Sequence, residues 1–398
     1  MPEVKRVLVV HPEFDVIGGA ERVAAHILQW FAGKARTEVT LLTLLPLASG
    51  QLVQAGMDED AAGKMNSIIA DCPLFVRESR GRLHLLRLAY LHRSARNICR
   101  EYNICVSTYN EIDFGRKGIQ YIHHPSFADR GFLKKTSIMK RGSLLDRLPP
   151  SNWLYRKVVF GISGETASGF ASNITLVNSL FMRDIVSTVY GVTSEVVYPP
   201  SITDAPQPEP PDWEERIMRF VSIGRIAPDK DLLALVEYFH VLQTKFPTAE
   251  FVLAGRSHDA SYERLLIEKA RIRDVRLRIV KGLTDPELSR LLRESKFYIH
   301  AKINEHFGIS VVDAVAAGCI VMVHDSGGPK EIVGRPELRF KTPFDLLQKV
   351  VRLNEDASMR LDVRSSLRAS LERFTFASFY ARLDEVLGPL MESMNLAN

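Results

Sequence analysis

Residues 297–318 read FYIHAKINEHFGISVVDAVAAG, and their pattern indicates the architecture of the C-terminal half. The run Phe297–His300 predicts a buried strand, and the apolar, alanine-rich run Gly308–Ala317 predicts a helix. Gly318 suits the position just after a helix end, where the backbone often takes a left-handed conformation. A strand, a short loop and a helix in succession are typical of a parallel α/β sheet.

Two carboxylates flank the predicted helix start. Glu305 precedes it, and Asp313 lies about one turn beyond it. A helix rises ~1.5 Å per residue, so the two side chains could lie roughly 10 Å apart. Unpaired N–H groups at Phe307, Gly308 and Ile309 would attract an anion, and a carboxylate accepts hydrogen bonds from neighbouring hydroxyls. The spacing alone also fits a loop glutamate and a solvated helix aspartate, but the flanking motifs favour a sugar-nucleotide site.

The composition predicts a globular protein of two domains. The 398 residues are 46% hydrophobic and 25% charged, with a net charge of +5 that does not by itself indicate a nucleic-acid partner. A chain of this length exceeds one ordinary core. The four cysteines lack metal-site spacing, no signal peptide is recognisable, and no apolar run reaches the ~18 residues of a membrane span. We therefore expect a reduced, cytoplasmic protein.

A proline-rich segment, residues 199–211, predicts a stiff linker between the domains. On each side of it, short β-rich runs alternate with helical patterns, which predicts parallel sheets. The predicted division is an N-terminal domain, 1–200, and a C-terminal domain, 201–375. Residues 376–398 are predicted to form a helix that crosses back to the first domain. The expected fold class is α/β, with two Rossmann-like doubly wound domains facing each other across a cleft.

A second motif, Gly224–Lys230, follows the predicted strand 220–223. Arg225 and Lys230 would lie near a strand end and a helix start, where guanidinium and ammonium groups can bind a diphosphate without a metal. Asp229 suits the N-cap of the following helix. An arginine and a lysine on an exposed loop are the alternative interpretation.

The first half offers weaker signals. Gly18 and Gly19 precede a predicted helix, and two glycines let a backbone approach a phosphate or sugar closely. His123 and His124 end a predicted strand, where one of them could enter a cleft and bind a hydroxyl or move a proton. An ordinary strand-to-helix turn and a structural histidine remain the alternatives for these two motifs.

Three further segments have residue types that occur in ligand or metal sites. Lys281 and Gly282 follow a predicted strand and could read a nucleobase edge. Small residues at 326–329 could close the donor site. The acidic triplet 58–60 is interpreted as a surface loop rather than a metal site, and the sequence shows no zinc cluster.

Basic and apolar residues are interleaved at 77–100 and again at 130–141. An ordinary helix with a solvated basic face, followed by a loop, would explain them. They also fit a surface for anionic lipid or for an acceptor that bears phosphate. In that case the protein would dock peripherally on the cytosolic face of a membrane.

Together these motifs resemble those of the retaining GT-B glycosyltransferases of family four, in the same order and over nearly the whole chain. The similarity is greatest to the α-1,2-mannosyltransferases that extend a lipid-linked oligosaccharide with GDP-mannose. The segments that carry it are His11-Pro12, Gly18–Val23, Tyr121–Pro125, Val197–Pro200, Gly224–Lys230, Asn304–Ile309 and Ser326–Lys330.

The resemblance implies a role for each matched residue. Arg225 and Lys230 would bind the donor diphosphate, Glu305 the donor sugar and Asp313 the ribose. The backbone at 307–309 would contact sugar and phosphate, and His123 would lie near the transferred sugar. The chain departs from the family pattern in having Asp313 where the family has glutamate, and in lacking the N-terminal membrane anchor of eukaryotic relatives.

The sequence thus predicts a metal-independent, retaining hexosyltransferase that moves mannose from GDP-mannose to a glycan or polyprenyl-linked acceptor. Two alternatives stay open on the same fold. One is a sugar-nucleotide epimerase, and the other is a non-catalytic sugar-nucleotide-binding subunit. An NAD-linked dehydrogenase is disfavoured because no GxGxxG follows either leading strand.

Overall fold

The computed structural model describes residues 4–79, 83–127, 149–201, 209–257 and 259–396. The chain folds as two compact units. The first contains Met1–Pro200 together with Phe379–Asn398, and the second contains Ser201–Ser378. The second unit therefore extends three residues beyond the predicted boundary at 375.

The first unit is built on a parallel sheet. Within the described residues it has seven strands in the order β3-β2-β1-β4-β5-β6-β7. They are β1 (Lys5–Val10), β2 (Thr37–Thr43), β3 (Asn66–Ile69), β4 (Ile104–Ser107), β5 (Ile119–Ile122), β6 (Ile174–Val177) and β7 (Glu195–Val196). In β1 the run Val7–Val10 is buried on both faces, as expected for a central parallel strand covered by helices.

Helices cover both faces of this sheet. They are α1 (Gly19–Ala32), α2 (Gln51–Gln54), α3 (Glu59–Gly63), α4 (Leu74–Arg77), α5 (His84–Ile98), α6 (Pro149–Ser163), α7 (Ala167–Ser172) and α8 (Leu180–Tyr190). One core cluster joins α1 to the sheet through Val23, Ile27 and Phe31. A second cluster, on Leu8 and Val10 of β1, includes Leu88 and Leu91 of α5 and thus covers the opposite face.

The second unit repeats the plan with six parallel strands, in the order β10-β9-β8-β11-β12-β13, among the residues described. The strands are β8 (Ile217–Ile223), β9 (Glu250–Ala254), β10 (Leu277–Val280), β11 (Ser295–His300), β12 (Ile320–His324) and β13 (Arg339–Phe340). The helices are α9 (Leu232–Lys245), α10 (Ala260–Ile272), α11 (Asp285–Glu294), α12 (Ile309–Ala316), α13 (Pro329–Val333), α14 (Pro343–Glu355) and α15 (Ala357–Ser370).

The last helix, α16 (Phe376–Leu396), begins in the second unit. From Phe379 onward its residues belong to the first unit, and Phe379, Leu383, Leu387 and Met391 lie in the core cluster that contains α1.

The prediction of two doubly wound parallel sheets is confirmed, and the predicted strands and helices lie within a few residues of the observed ones. The strand β3 was not predicted, because all four of its residues are exposed at the sheet edge and show no alternation of buried and exposed positions. Gly318 has φ +81°, as a residue after a helix end should. The prediction of Asp229 as an N-cap is wrong, because α9 starts after Asp231, and Asp229 lies in a short 3-10 turn, Pro228–Lys230.

The prediction of a basic surface at 77–100 is wrong for two of its arginines. Arg87 is only 4% exposed and binds Glu13, with Nη1 3.2 Å from Oε1 and Nη2 2.5 Å from Oε2. Arg96 binds Asp113 at 2.6 Å. A guanidinium that loses water on burial needs a carboxylate or carbonyl partner, so both arginines are structural. The second basic stretch, 130–141, lies outside the described residues.

Candidate functional site

The candidate site lies at the carboxyl edge of the sheet in the second unit. The motif Gly224–Lys230 follows β8, and the loop 301–308 follows β11. These two strands are neighbours in the sheet, but the chain leaves them in opposite directions, toward β9 on one side and β12 on the other. Such a topological switch point is where doubly wound sheets bind ligands, because the loops diverge and leave a crevice.

Glu305 and two lysines meet at this switch point. Lys230 Nζ lies 2.8 Å from Glu305 Oε2, and Lys302 Nζ lies 3.3 Å from Glu305 Oε1. The Glu305 side chain is about one-tenth exposed, and both lysines are partly buried. The fold therefore brings together residues that stand 75 positions apart in the chain.

The local charges control ionisation here. Burial alone would raise the pKa of Glu305, but the ammonium groups of Lys230 and Lys302 outweigh it and hold the pKa well below its ordinary value. Burial lowers the pKa of His300 and of His306 to about 4, despite the nearby Glu305 carboxylate. Near neutral pH the cluster thus has one carboxylate and two uncharged imidazoles beside the two lysines.

The start of α12 adds an anion-attracting dipole. Its N-cap, Gly308, has φ +102°, a conformation that side-chain-bearing residues rarely adopt. A helix start presents N–H groups that lack partners inside the helix, with a partial positive charge. Together with Lys230 and Lys302, this helix start forms a surface suited to a phosphate group.

The segment 326–329 packs directly on the Glu305 loop. Gly328 donates its N–H to the Glu305 carbonyl at 2.9 Å, and Ser326 Oγ accepts the N–H of Asn304 at 2.8 Å. A Cβ at Gly327 would lie 2.4 Å from the Glu305 carbonyl oxygen, so only glycine fits there. This segment holds the backbone that carries Glu305.

The other predicted residues of this unit are more dispersed. Arg225 is 59% exposed and pairs with Asp229, its Nη2 lying 3.0 Å from Oδ2. Asp313 is the fifth residue of α12 and is half-buried. Gly282 follows β10 with φ +72°, and the strands β9 and β8 lie between β10 and β11. Phe307 is buried, and Ile309 is the first residue of α12.

In the first unit the predicted residues also lie at the carboxyl edge of the sheet. Gly18 is the N-cap of α1, and its N–H donates to Glu21 Oε2 at 2.8 Å; Gly19 begins the helix. His123 follows β5, and its Nε2 donates to the carbonyl oxygen of Thr108 at 3.2 Å. Asn110 accepts the backbone N–H of both His123 and His124. These contacts fix the orientation of the His123 backbone and ring.

Sequence reasoning missed three residues of the second unit. Lys302 is a second cation on Glu305, and its spacing of three residues in the same loop could have revealed it. His300 is buried, with Nε2 3.8 Å from Glu305 and without a hydrogen-bond partner. Gly255 follows β9 in close contact with Gly224, since a Cβ there would lie 1.8 Å from the Gly224 carbonyl oxygen.

Within the described ranges, no group of three His, Cys, Asp or Glu side chains could hold a metal ion. Asp58, from the acidic triplet, accepts the N–H groups of Asp60 and Ala61 and so caps α3. In the same part of the chain, no helix is long and apolar enough to cross a membrane.

Comparison with known families identifies a domain. Residues 206–364 match the family described as "Glycosyl transferases group 1". These residues are similar to that family, and the resemblance seen in the motifs is confirmed. The matched range contains Arg225, Lys230, Glu305 and Asp313.

Named relatives match part of the chain. The GDP-Man:Man(3)GlcNAc(2)-PP-Dol alpha-1,2-mannosyltransferase of Homo sapiens is 26% identical over 294 residues, which are 65% of this chain and 58% of the relative. The protein of the same name from Candida albicans is 32% identical over 168 residues, or 38% of this chain and 27% of the relative. The match thus spans less than two thirds of the length of these relatives.

Solved structures share the fold along nearly the whole chain. HepE of Anabaena, in complex with UDP and glucose, superposes with a TM-score of 0.65 at 16% identity, covering 96% of this chain and 99% of HepE. The sucrose-phosphate synthase of Thermosynechococcus elongatus gives 0.65 at 13% identity, covering 98% and 100%. At such identities the similarity shows the fold alone, and the predicted GT-B class is confirmed.

Proposed function

We propose that this protein is a retaining hexosyltransferase, on the basis that residues 206–364 match the family described as "Glycosyl transferases group 1". It transfers mannose from GDP-mannose to a hydroxyl of a lipid-linked or other glycan acceptor. The donor and acceptor classes are those in the names of the similar mannosyltransferases. The observation that carries the proposal is the meeting of Lys230, Lys302 and Glu305 at the switch point, beside the start of α12.

Donor binding follows from the chemistry of these groups. The diphosphate binds Lys230, Arg225 and the N–H groups at the start of α12, since each offers positive charge or a donor to anionic oxygen. Glu305 accepts hydrogen bonds from hydroxyls of the donor sugar, and Asp313 from the ribose. Gly282, with its exposed backbone, contacts the base. Lys230 turns from Glu305 to the diphosphate when the donor arrives.

Catalysis in this scheme is positioning and charge stabilisation. As the bond from the sugar to the diphosphate breaks, negative charge grows on the leaving oxygen, and Lys230, Arg225 and the α12 dipole stabilise it. His123 is proposed to hydrogen-bond a sugar hydroxyl during the transfer. The acceptor oxygen bonds to the anomeric carbon on the face from which the diphosphate leaves, and the hydroxyl proton passes to the departing diphosphate oxygen, so the anomeric configuration is retained. The protein supplies the cations itself, and we expect activity to persist in EDTA.

The first test measures donor binding and turnover. Purified protein is heated with GDP-mannose, UDP-glucose or ADP-glucose, and a bound donor raises the melting temperature by mass action. We expect the largest rise with GDP-mannose. Lys230→Ala should reduce transfer by on the order of 100-fold or more, because it removes charge stabilisation of the leaving group.

The matched control is Lys269→Ala. Lys269 also pairs with a glutamate, Glu237, at 2.8 Å, but on the helices α9 and α10. Removing it alters an ion pair of the same geometry outside the site, so turnover should stay within about twofold of wild type. Near-normal transfer by Lys230→Ala would contradict the proposal.

Two other outcomes identify the alternatives. Interconversion of the donor sugar without any acceptor would indicate an epimerase. Donor binding without release of GDP, in the presence of glycan acceptors, would indicate a binding subunit.

We further propose that the first unit docks on an anionic membrane. The observation that favours docking is on α4, where Leu74 and Phe75 are 56% and 74% exposed. Arg77 ends this short helix, and Arg93 and Arg100 are exposed along and after α5. Exposed apolar side chains enter the lipid interface while cations meet lipid phosphates.

Co-sedimentation with vesicles of phosphatidylglycerol and phosphatidylcholine tests docking. We expect binding at low salt that weakens as salt rises, because the attraction of exposed charges is screened. Phe75→Ser should release the protein, whereas Leu361→Ser, which changes an equally exposed leucine of the second unit, should not. Equal binding by the two variants would exclude α4 as the docking element.

A further inference from the structure

A small cavity lies at the carboxyl edge of the first sheet, apart from the donor residues. Its volume is about 60 Å³, and its polar lining includes His11, Glu21, Glu13 and Arg87. A water molecule takes about 30 Å³ in the liquid, so the cavity has room for about two oxygen-sized groups. His11 follows β1 and Thr108 follows β4, and these strands are neighbours at the switch point of the first sheet. The cavity therefore occupies the place where such sheets bind ligands.

His11 presents a buried nitrogen without a partner. Its side chain is fully buried, and its Nδ1 lies 3.0 Å from Thr108 Oγ1. The Thr108 hydroxyl donates to the Val10 carbonyl at 3.2 Å, so it accepts the Nδ1–H of His11. Nε2 is the ring nitrogen left for a further contact, and it has no hydrogen-bond partner. Such a buried group is costly, and in native proteins it usually meets a ligand or water.

Glu21 faces the same nitrogen. Its Oε1 lies 3.8 Å from His11 Nε2, too far for a hydrogen bond, while its Oε2 accepts the N–H of Gly18. A hydroxyl group suits the space between them, because it can donate to the carboxylate oxygen and form a hydrogen bond with the ring nitrogen. An ionised carboxylate ligand has no hydrogen to donate to Glu21 and would be repelled by its charge.

Resting on the proposed function, we infer that this cavity binds two neighbouring hydroxyl groups of the acceptor sugar. One hydroxyl donates to His11 Nε2 and the other to Glu21 Oε1. Arg87 lines the same cavity, held there by Glu13, and its buried Nε also lacks a partner. Arg87 can donate a hydrogen bond to the ligand oxygens, while His11 and Glu21 bind the ligand hydroxyls. A sugar diol therefore finds a partner for each of its polar groups.

The site is connected to His123 through Thr108. The hydroxyl of Thr108 accepts from His11 Nδ1, and its carbonyl accepts from His123 Nε2 at 3.2 Å. His11 and Glu21 are thus positioning residues, which hold two hydroxyls of the acceptor sugar while a further hydroxyl reacts near His123.

The test uses full-length His11→Asn and Glu21→Gln. An asparagine amide can replace the Nδ1–H donor toward Thr108 but has no counterpart of Nε2, and glutamine keeps an oxygen for Gly18. Kinetics are measured with GDP-mannose and a Man(3)GlcNAc(2) diphosphate on a short phytanyl chain. We expect KM for this acceptor to rise about tenfold or more in each variant, the effect of losing about one buried hydrogen bond. The melting-temperature rise with GDP-mannose should be unchanged.

Glu59→Gln is the control, because Glu59 also lies in the first helical turn of a helix in this unit but is exposed on α3. Its acceptor KM should match that of wild type. Saturation-transfer NMR with the free Man(3)GlcNAc(2) glycan gives a readout without catalysis, and its signal should fall in His11→Asn and Glu21→Gln.

Either of two results would overturn the inference: acceptor KM within about twofold of wild type in the folded variants, or a glycan signal that both variants keep. Should His11→Asn fail to fold, Glu21→Gln alone carries the comparison. Failure of the proposed function would look different, because wild-type protein would then show no melting-temperature rise with GDP-mannose.

Discussion

Glu305 keeps a negative charge in a nearly buried place because two lysines surround it. The loop position of Glu305 was evident from the sequence, and so was the candidate role of Lys230. Their contact was not, because no periodicity pairs residues across 75 positions. Lys302 was overlooked although its spacing of three residues from Glu305 could have suggested the contact, because a lysine in a loop is ordinarily solvated.

The substitution Glu305→Gln should affect GDP binding and transfer of the donor sugar differently. The change removes the carboxylate that holds Lys230 and Lys302, so both ammonium groups become available to a diphosphate. We expect GDP to bind at least as tightly as to wild type, while transfer falls by on the order of 100-fold because the donor sugar loses its acceptor of hydrogen bonds. Calorimetry with GDP and a transfer assay check the two parts. Parallel loss of both would mean that Glu305 is structural.

The position of the α16 helix depends on the surface against which it packs. The sequence predicted a helix at residues 376–398 that returns to the first domain, but not the surface that receives it. His26 of α1 lies 2.7 Å from the Tyr380 hydroxyl, and Trp30 donates to Asp384 at 3.0 Å. A hydrophobic period gives the buried face of a helix, whereas the matching face is set by the packing of the whole core.

The buried His26 of α1 should make the stability of the first unit depend on pH. Burial, and then the charge of Arg22, lower the pKa of His26 to about 4, against an ordinary 6.5. Between these values the unfolded chain binds the proton and the folded one does not. Stability is therefore full above about pH 6.5 and decreases as the pH falls toward 4, by roughly 3 kcal/mol in total.

Urea unfolding at several pH values checks this expectation. The decrease should be smaller in His26→Gln and unchanged in His240→Gln, whose histidine is partly exposed on α9. An identical decrease in all three proteins would show that other groups cause it.

The two units share an arrangement of polar residues at the ends of their central strands. In each one, a residue after one central strand contacts a residue after the neighbouring strand: His11 with Thr108, and Lys230 with Glu305. A histidine Nε2 without a partner lies 3.8 Å from a glutamate in each place. The parallel follows from topology, since the loops on both sides of a switch point diverge and leave polar groups uncovered.

Across the whole molecule, hydrogen exchange should locate the donor site. With GDP added, we expect slower exchange in the segments after β8, β11 and β12, namely 224–230, 301–309 and 326–329, because a ligand stabilises the backbone that binds it. Guanosine, which lacks the phosphates, should protect these segments less. Protection that is confined to other segments would place the nucleotide elsewhere.

The amino-acid sequence by itself determined two parallel α/β sheets and most strand positions, and it supplied the residues proposed to bind a diphosphate and a sugar. It could do so because strand burial, helical period and glycine conformation are local properties. The tertiary structure decided which charges are paired, as for Arg87, Lys302 and Glu305, and which buried nitrogens lack partners, as for His11 and His300. Those outcomes depend on contacts between distant segments, whose energies are settled only when the whole core packs and excludes water.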